Sequence, residues 1–152
     1  EELTDAVRAA AMRKYDTYVG TAWDYTPAFK RFGMQMVLFA AEEPNLFRLL
    51  FMRNNREQAN LSTLKTLLGP TRLLCLDAIA KDYQMSEKEA AAFFEHMWIF
   101  TYGLAVLCAT GMCQFSEEEL CTILGRQFMG TIGLMKSGRW DSRTPHPEIQ
   151  NR

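Results

Sequence analysis

The residues best suited to chemistry in this chain are few, and their spacing does not serve it. There are two histidines. His146 lies between Pro145 and Pro147 in an aperiodic tail. His96 directly follows Glu95, which gives neither the Glu-x-x-His spacing of carboxylate-bridged metal sites in helical bundles nor a second histidine one turn away for zinc. The carboxylate runs Glu42-Glu43 and Glu117-Glu118-Glu119 resemble acid–base pairs only superficially, because both fall at expected helix ends. First-turn electrostatics account for the second run. No nucleophile elbow, phosphate-binding glycine loop or dinucleotide fingerprint occurs. The expectation is a protein that is not an enzyme and carries no metal or cofactor.

The four cysteines, Cys75, Cys108, Cys113 and Cys121, sit in apolar stretches without CxxC spacing. That pattern predicts reduced core thiols in a cytoplasmic protein rather than a disulfide framework.

What the chain has in excess is large, adaptable side chains: nine Met and ten Phe. Trp23, Tyr15, Tyr18, Trp98 and Tyr102 add rings with polar edges. Such residues line apolar pockets with a few polar anchors, and they also pack ordinary cores.

These side chains need elements to position them, and the apolar periodicity is helical throughout. Glu1 to Val19 repeats apolar residues at three-and-four spacing and stops at Gly20. Thr26-Pro27 reads as a helix start, with a capping hydroxyl before a first-turn proline, followed by Phe29, Phe32, Met36 and Phe39 along one face to about Glu43. Pro44 opens a shorter helix carrying Leu46, Phe47, Leu50 and Phe51, and Arg53 to Asn60 reads as a polar loop. After Pro70, an amphipathic helix is expected to present Leu73, Leu74, Ala78, Ile79 and Tyr83. Two S-x-x-E capping boxes, Ser86 to Glu89 and Ser116 to Glu119, then open two long helices, ending at Gly111 and near Gly138. No segment alternates with period two. The fold class is therefore all-α, a bundle of about six helices over 1–137, with 138–152 a tail.

Length and composition agree with a single globular domain: 152 residues, 48% apolar and 23% charged. The formal net charge of −1 and pI near 6.2 lack the basic excess of a domain that grips nucleic-acid phosphates by itself. DNA contact is expected only through something outside this chain.

From Met97 to Phe115 there is no charged side chain. A helix apolar all round is buried on more than one side or lies in lipid. Its length nearly suits a bilayer, but Glu95 and His96 on one side and three glutamates on the other lack the Lys/Arg asymmetry of a membrane span. It could instead be the central helix of a monomeric core. In the third arrangement one face packs on the subunit's own core and the other on a twin, giving a dimeric four-helix bundle with the following helix. Leu104, Leu107, Leu120, Leu124, Phe128 and Ile132 are the residues expected at that homodimer interface, with small residues such as Gly103, Gly130 and Gly133 allowing close approach.

Pro44-Asn-Leu-Phe-Arg-Leu-Leu-Phe51 after a long helix, then Met97-Trp98-Ile-Phe-Thr-Tyr102-Gly103-Leu104 in a long penultimate helix, resembles the C-terminal domain of the TetR/AcrR transcriptional regulators. The resemblance covers most of the chain. That family's penultimate helix often carries Trp, three residues, His and Gly, and here Tyr102 stands where the His is common. Glu1-Glu2-Leu3 with Ala6-Val7 is similar to the start of the helix that follows the family's DNA-binding domain. The resemblance implies a ligand-sensing and dimerisation domain whose helix-turn-helix reader precedes Glu1. It also implies a small hydrophobic or aromatic effector, with Tyr18, Phe32, Met36, Phe39, Leu74, Trp98, Thr101 and Tyr102 facing it. The competing expectation is a helical protein-interaction or adaptor domain without a small ligand.

Overall fold

The computed structural model describes residues 2–52 and 61–141, and within them every regular element is helical. The expected loop at 53–60 and the tail beyond 141 lie outside the described residues. The elements are α1 (Glu2–Gly20), a 3-10 turn (Thr21–Asp24), α2 (Ala28–Glu42), α3 (Pro44–Phe51), α4 (Leu61–Tyr83), α5 (Glu87–Ala109) and α6 (Glu117–Lys136).

Local chemistry explains the clearest boundaries. Both capping boxes form. Ser86 Oγ accepts from the Glu89 amide at 3.2 Å while the Glu89 carboxylate accepts from the Ser86 amide at 2.8 Å. Ser116 and Glu119 repeat the exchange at 3.1 and 2.7 Å. Each cap satisfies two amides that the first turn cannot, a contribution of about 1 kcal/mol. At the other end of α5, the Arg48 guanidinium of α3 donates to the Ala109 carbonyl at 2.8 Å. That contact satisfies an acceptor of the last turn with a charge the helix dipole favours.

The start of α2 differs from the sequence expectation. Thr26 makes no cap; Pro27 occupies the N-cap position. The Ala28 amide donates instead to the Asp82 carboxylate at 3.1 Å, across 54 residues. An anion at a helix N-terminus does the work a local hydroxyl was expected to do, and it ties the end of α4 to the start of α2.

The central element is α2, which packs against every other α-helix. Its 15 residues include Phe29, Phe32, Met36, Val37, Phe39 and Ala40 among the buried ones. Burying each of the larger side chains stabilises the fold by roughly 1.5–3 kcal/mol. Around α2, α5 also contacts α3, α4 and α6. By length and composition α5 alone among the described helices is apolar enough to cross a membrane, yet 44% of its most apolar window is buried inside the protein. One side of α5 is therefore core and the other is surface.

Helix α4 departs most from the pattern read in the sequence. It consists of two helical stretches that meet at a kink at Gly69, whose φ of 49° and ψ of −132° suit only glycine; the second is the helix expected after Pro70, and the stretch from Leu61 precedes it. Leu73 and Leu74, expected on the apolar face, are 60% and 50% exposed, whereas Cys75 and Ile79 are fully buried.

Candidate functional site

Two aromatic networks run through the core. In the first, Tyr18 and Tyr15 both meet Phe39 edge-on, Tyr15 meets Phe51, Phe51 meets Phe47, and Phe47 meets Tyr102. Tyr102 then stacks on Trp98, with centroids 5.0 Å apart. In the second, Trp23 stacks on Phe32, Phe32 on Phe29, and Phe29 packs against Phe93, Phe94 and Phe128.

The networks approach each other across a small cavity between α2, α5 and α6, lined by Phe29, Phe32, Gly33, Met36, Trp98, Thr101 and Phe128. Its free volume is about 10 Å³, no more than the space one water needs. A larger guest must move side chains aside. Met36, unbranched and with several rotatable bonds, is suited to yielding.

The polar groups of the wall are unequally employed. Thr101 Oγ1 donates to the Met97 carbonyl at 2.8 Å. Trp98 Nε1 is buried with no hydrogen-bond partner among the described residues, and Tyr15 Oη, elsewhere in the first network, is likewise unpartnered. A buried donor without an acceptor costs about 1–3 kcal/mol. Burial pushes the Tyr15 phenol well above its ordinary pKa, and neighbouring Cys75 adds to the effect.

Of the residues expected to face an effector, Phe32, Met36, Trp98 and Thr101 line this cavity. Tyr18 and Phe39 belong to the first aromatic network and not to the wall. Tyr102 stands behind Trp98, and its hydroxyl donates to the Phe51 carbonyl at 2.8 Å. Leu74 is half exposed on α4 and not among the lining residues. Phe29 and Gly33 were not singled out for the cavity. They share the three-and-four spacing of Phe32 and Met36, so periodicity alone could have found them.

The residues of the expected dimer stripe sit at different depths in the single subunit. Leu104, Leu120, Leu124 and Phe128 are only 8%, 1%, 0% and 4% exposed. They pack inside the subunit's own core, and Phe128 lines the cavity, so none offers area to a twin. Leu107 and Ile132 are half-buried. The outward faces of α5 and α6 carry other residues: Ile99, Met129 and Leu134 are 52%, 76% and 41% exposed, with Gly103, Gly130 and Gly133 exposed among them.

The remaining reactive side chains do not converge. Among the described residues no group of three His, Cys, Asp or Glu could hold a metal ion. His96 is exposed, its Nε2 lying 3.3 Å from Gln127 Nε2 and its ring edge-on to Trp140 at 5.3 Å. Glu117 faces Arg31 at 3.6 Å, the role of a surface ion pair at a helix start. All four thiols are free. Cys75 and Cys108 are buried as expected of core thiols, but Cys121 is exposed, with the Lys30 ammonium 3.2 Å from its sulfur.

No family model, no curated protein and no solved structure matches this chain.

Proposed function

We propose that this chain is the effector-sensing and dimerisation domain of a TetR-like transcriptional regulator. The observation that carries the reading is the double character of α5. Its inner face supplies Trp98 and Thr101 to the cavity, while its outer face leaves Ile99 and Gly103 exposed, and the outer face of α6 exposes Met129 and Leu134 together with Arg126. A homodimer built on those outer faces forms a four-helix bundle with two helices from each subunit. The glycines permit close approach, and Ile99, Met129 and Leu134 supply the apolar area.

The mechanism is a population shift. A small hydrophobic effector enlarges the cavity and separates α2 from α5 and α6. Because the same helices form the dimer face, the change repositions the two subunits. DNA readers preceding α1 in the parent protein would then change spacing and operator affinity. Leu3 and Val7, 79% and 49% exposed on the first turns of α1, support the presence of a covering neighbour there. The pI near 6.2 lacks the basic excess of a domain that grips DNA by itself, and a cytoplasmic setting belongs to the same proposal.

The adaptor reading draws on a different observation. Leu73, Leu76, Ala80 and Ala90 line an open groove of about 380 Å³ between α4 and α5, edged by Asp77 and Glu87. A thermal-shift series separates the two. Neutral hydrophobic compounds that enter the cavity raise the melting temperature in proportion to RT ln(1 + [L]/Kd). A uniformly unmoved melting temperature supports the adaptor and contradicts the sensing domain.

A further inference from the structure

Lys30 of α2 and Cys121 of α6 lie outside the cavity wall, and their chemistry is independent of the effector reading. We infer that they form an oxidation-responsive clamp, in which a peroxide converts the pair into a direct bond between Cys121 Sγ and Lys30 Nζ that ties α2 to α6.

The two helices build the pair. On α6, Glu117, Cys121 and Gly125 follow one another at one-turn spacing and so share a face. Helix α2 lays Arg31 and Lys30 against that face. Arg31 meets Glu117 at 3.6 Å, and one turn further along α6 the Lys30 ammonium donates to the Cys121 sulfur at 3.2 Å. Gly125 leaves the space that this needs: a Cβ there would stand 3.1 Å from Lys30 Nζ and 3.7 Å from its Cε. The Lys30 side chain is half-buried in this seat, while Cys121 is exposed and open to a small oxidant.

The reaction balances with one peroxide. The thiol takes one peroxide oxygen to become a sulfenic acid, releasing water. Sulfenic sulfur is electrophilic and condenses with a nearby nitrogen. Nζ already stands at the separation of a near-attack arrangement, roughly 3–3.5 Å between reacting atoms. The neutral amine of Lys30 attacks sulfur, the S–O bond breaks, and the departing hydroxide takes the proton shed by nitrogen and leaves as a second water. The peroxide is reduced to two waters and the chain loses two hydrogens. A thiol reductant reverses the step by attacking the sulfur, which returns the free lysine and cysteine and oxidises the reductant to its disulfide. The link joins residues 91 apart in the chain, so it restricts the unfolded state as a long-range disulfide does.

The test treats the full chain, first reduced and freed of reductant, with hydrogen peroxide and maps its peptides by mass spectrometry after cleavage at glutamate. The Lys30 and Cys121 peptides should appear joined, two hydrogens below their summed mass, and dithiothreitol should separate them. The melting temperature of the oxidised chain should rise by on the order of 10 °C. Lys30→Arg keeps the cation but offers no amine that can lose its proton and attack, so no link should form and dimedone should trap Cys121 as its sulfenic acid. Cys113→Ser should link as the wild type does.

A wild-type Cys121 that stays a free thiol, stops at sulfenic or sulfinic acid, or forms a disulfide overturns the inference. So does a link that retains the oxygen, or one that survives Lys30→Arg. Each of these outcomes leaves the effector reading where it stood.

Discussion

Trp98 and Tyr102 lie one helical turn apart with their rings stacked, 5.0 Å between centroids and 14° between planes. The Tyr102 hydroxyl reaches beyond the stack to the Phe51 carbonyl at 2.8 Å, at the end of α3. The pair therefore joins the cavity wall to the short third helix. Tyr102 stands where the resembling family often has His, and here its phenol is a structural tie.

Removing that tie has a defined consequence. Tyr102→Phe keeps the stack and leaves the Phe51 carbonyl without its donor. Urea unfolding should show a loss of about 1 kcal/mol. An unchanged midpoint would mean that the hydroxyl contributes nothing.

The inward placement of Leu124 is testable by truncation. With 0% exposure, Leu124→Ala should cost about 2–5 kcal/mol through lost contacts and a residual cavity. Were Leu124 an interface residue instead, the same change would dissociate the dimer and leave the isolated subunit about as stable as before.

Alkaline pH should destabilise the fold through its tyrosines. Burial raises Tyr18 and Tyr83 to about 12, and Tyr15 and Tyr102 also move up through burial. A raised phenol means that the folded state holds its proton more firmly than the unfolded chain. Stability is thus fully present below pH ~10, the ordinary phenol value, and falls as pH rises towards about 12. Tyrosinate absorbance should appear together with the loss of helical circular dichroism; full ionisation at constant helicity would contradict the burial.

Thiol labelling should sort the cysteines by depth. Cys121, exposed beside Lys30, should react promptly with a disulfide reagent in the native protein. Cys75 is fully buried and its thiol is pushed up by desolvation, so it should react only on unfolding. Rapid native labelling of Cys75 would show that the packing of α4 opens easily.

These results follow from features that the sequence made legible to different degrees. The helical class and the bounds of α5 and α6 could be read because capping boxes are local chemistry, complete within four residues. The start of α2 could not, since its cap comes from Asp82 in another helix. The face of the helix after Pro70 was read only in part: Ile79 is buried as expected, but the inward face runs through Cys75 and Ile79, four residues apart, and leaves Leu73 and Leu74 60% and 50% exposed. The residues of the expected dimer stripe divide between the core and the surface. In a helix pair apolar on two sides, the largest residues gather on the buried side, and the outer side keeps glycines, Ile99 and Met129. Size ranks burial; it does not mark an interface. For the cavity, Trp98, Thr101, Phe32 and Met36 were accessible from the resemblance, whereas the burial of the Trp98 indole N–H without a partner among the described residues arises from packing between helices distant in sequence.

The central claim is that α5 reads an effector on one face and holds a twin on the other, and the dimer half of it can be measured in one step. Light scattering at micromolar concentration should give twice the 17.5 kDa of the chain, and Met129→Lys, 76% exposed in the isolated subunit, should return the single-chain mass while changing subunit stability by less than about 0.5 kcal/mol. A wild-type chain that stays at the single-chain mass would contradict the account.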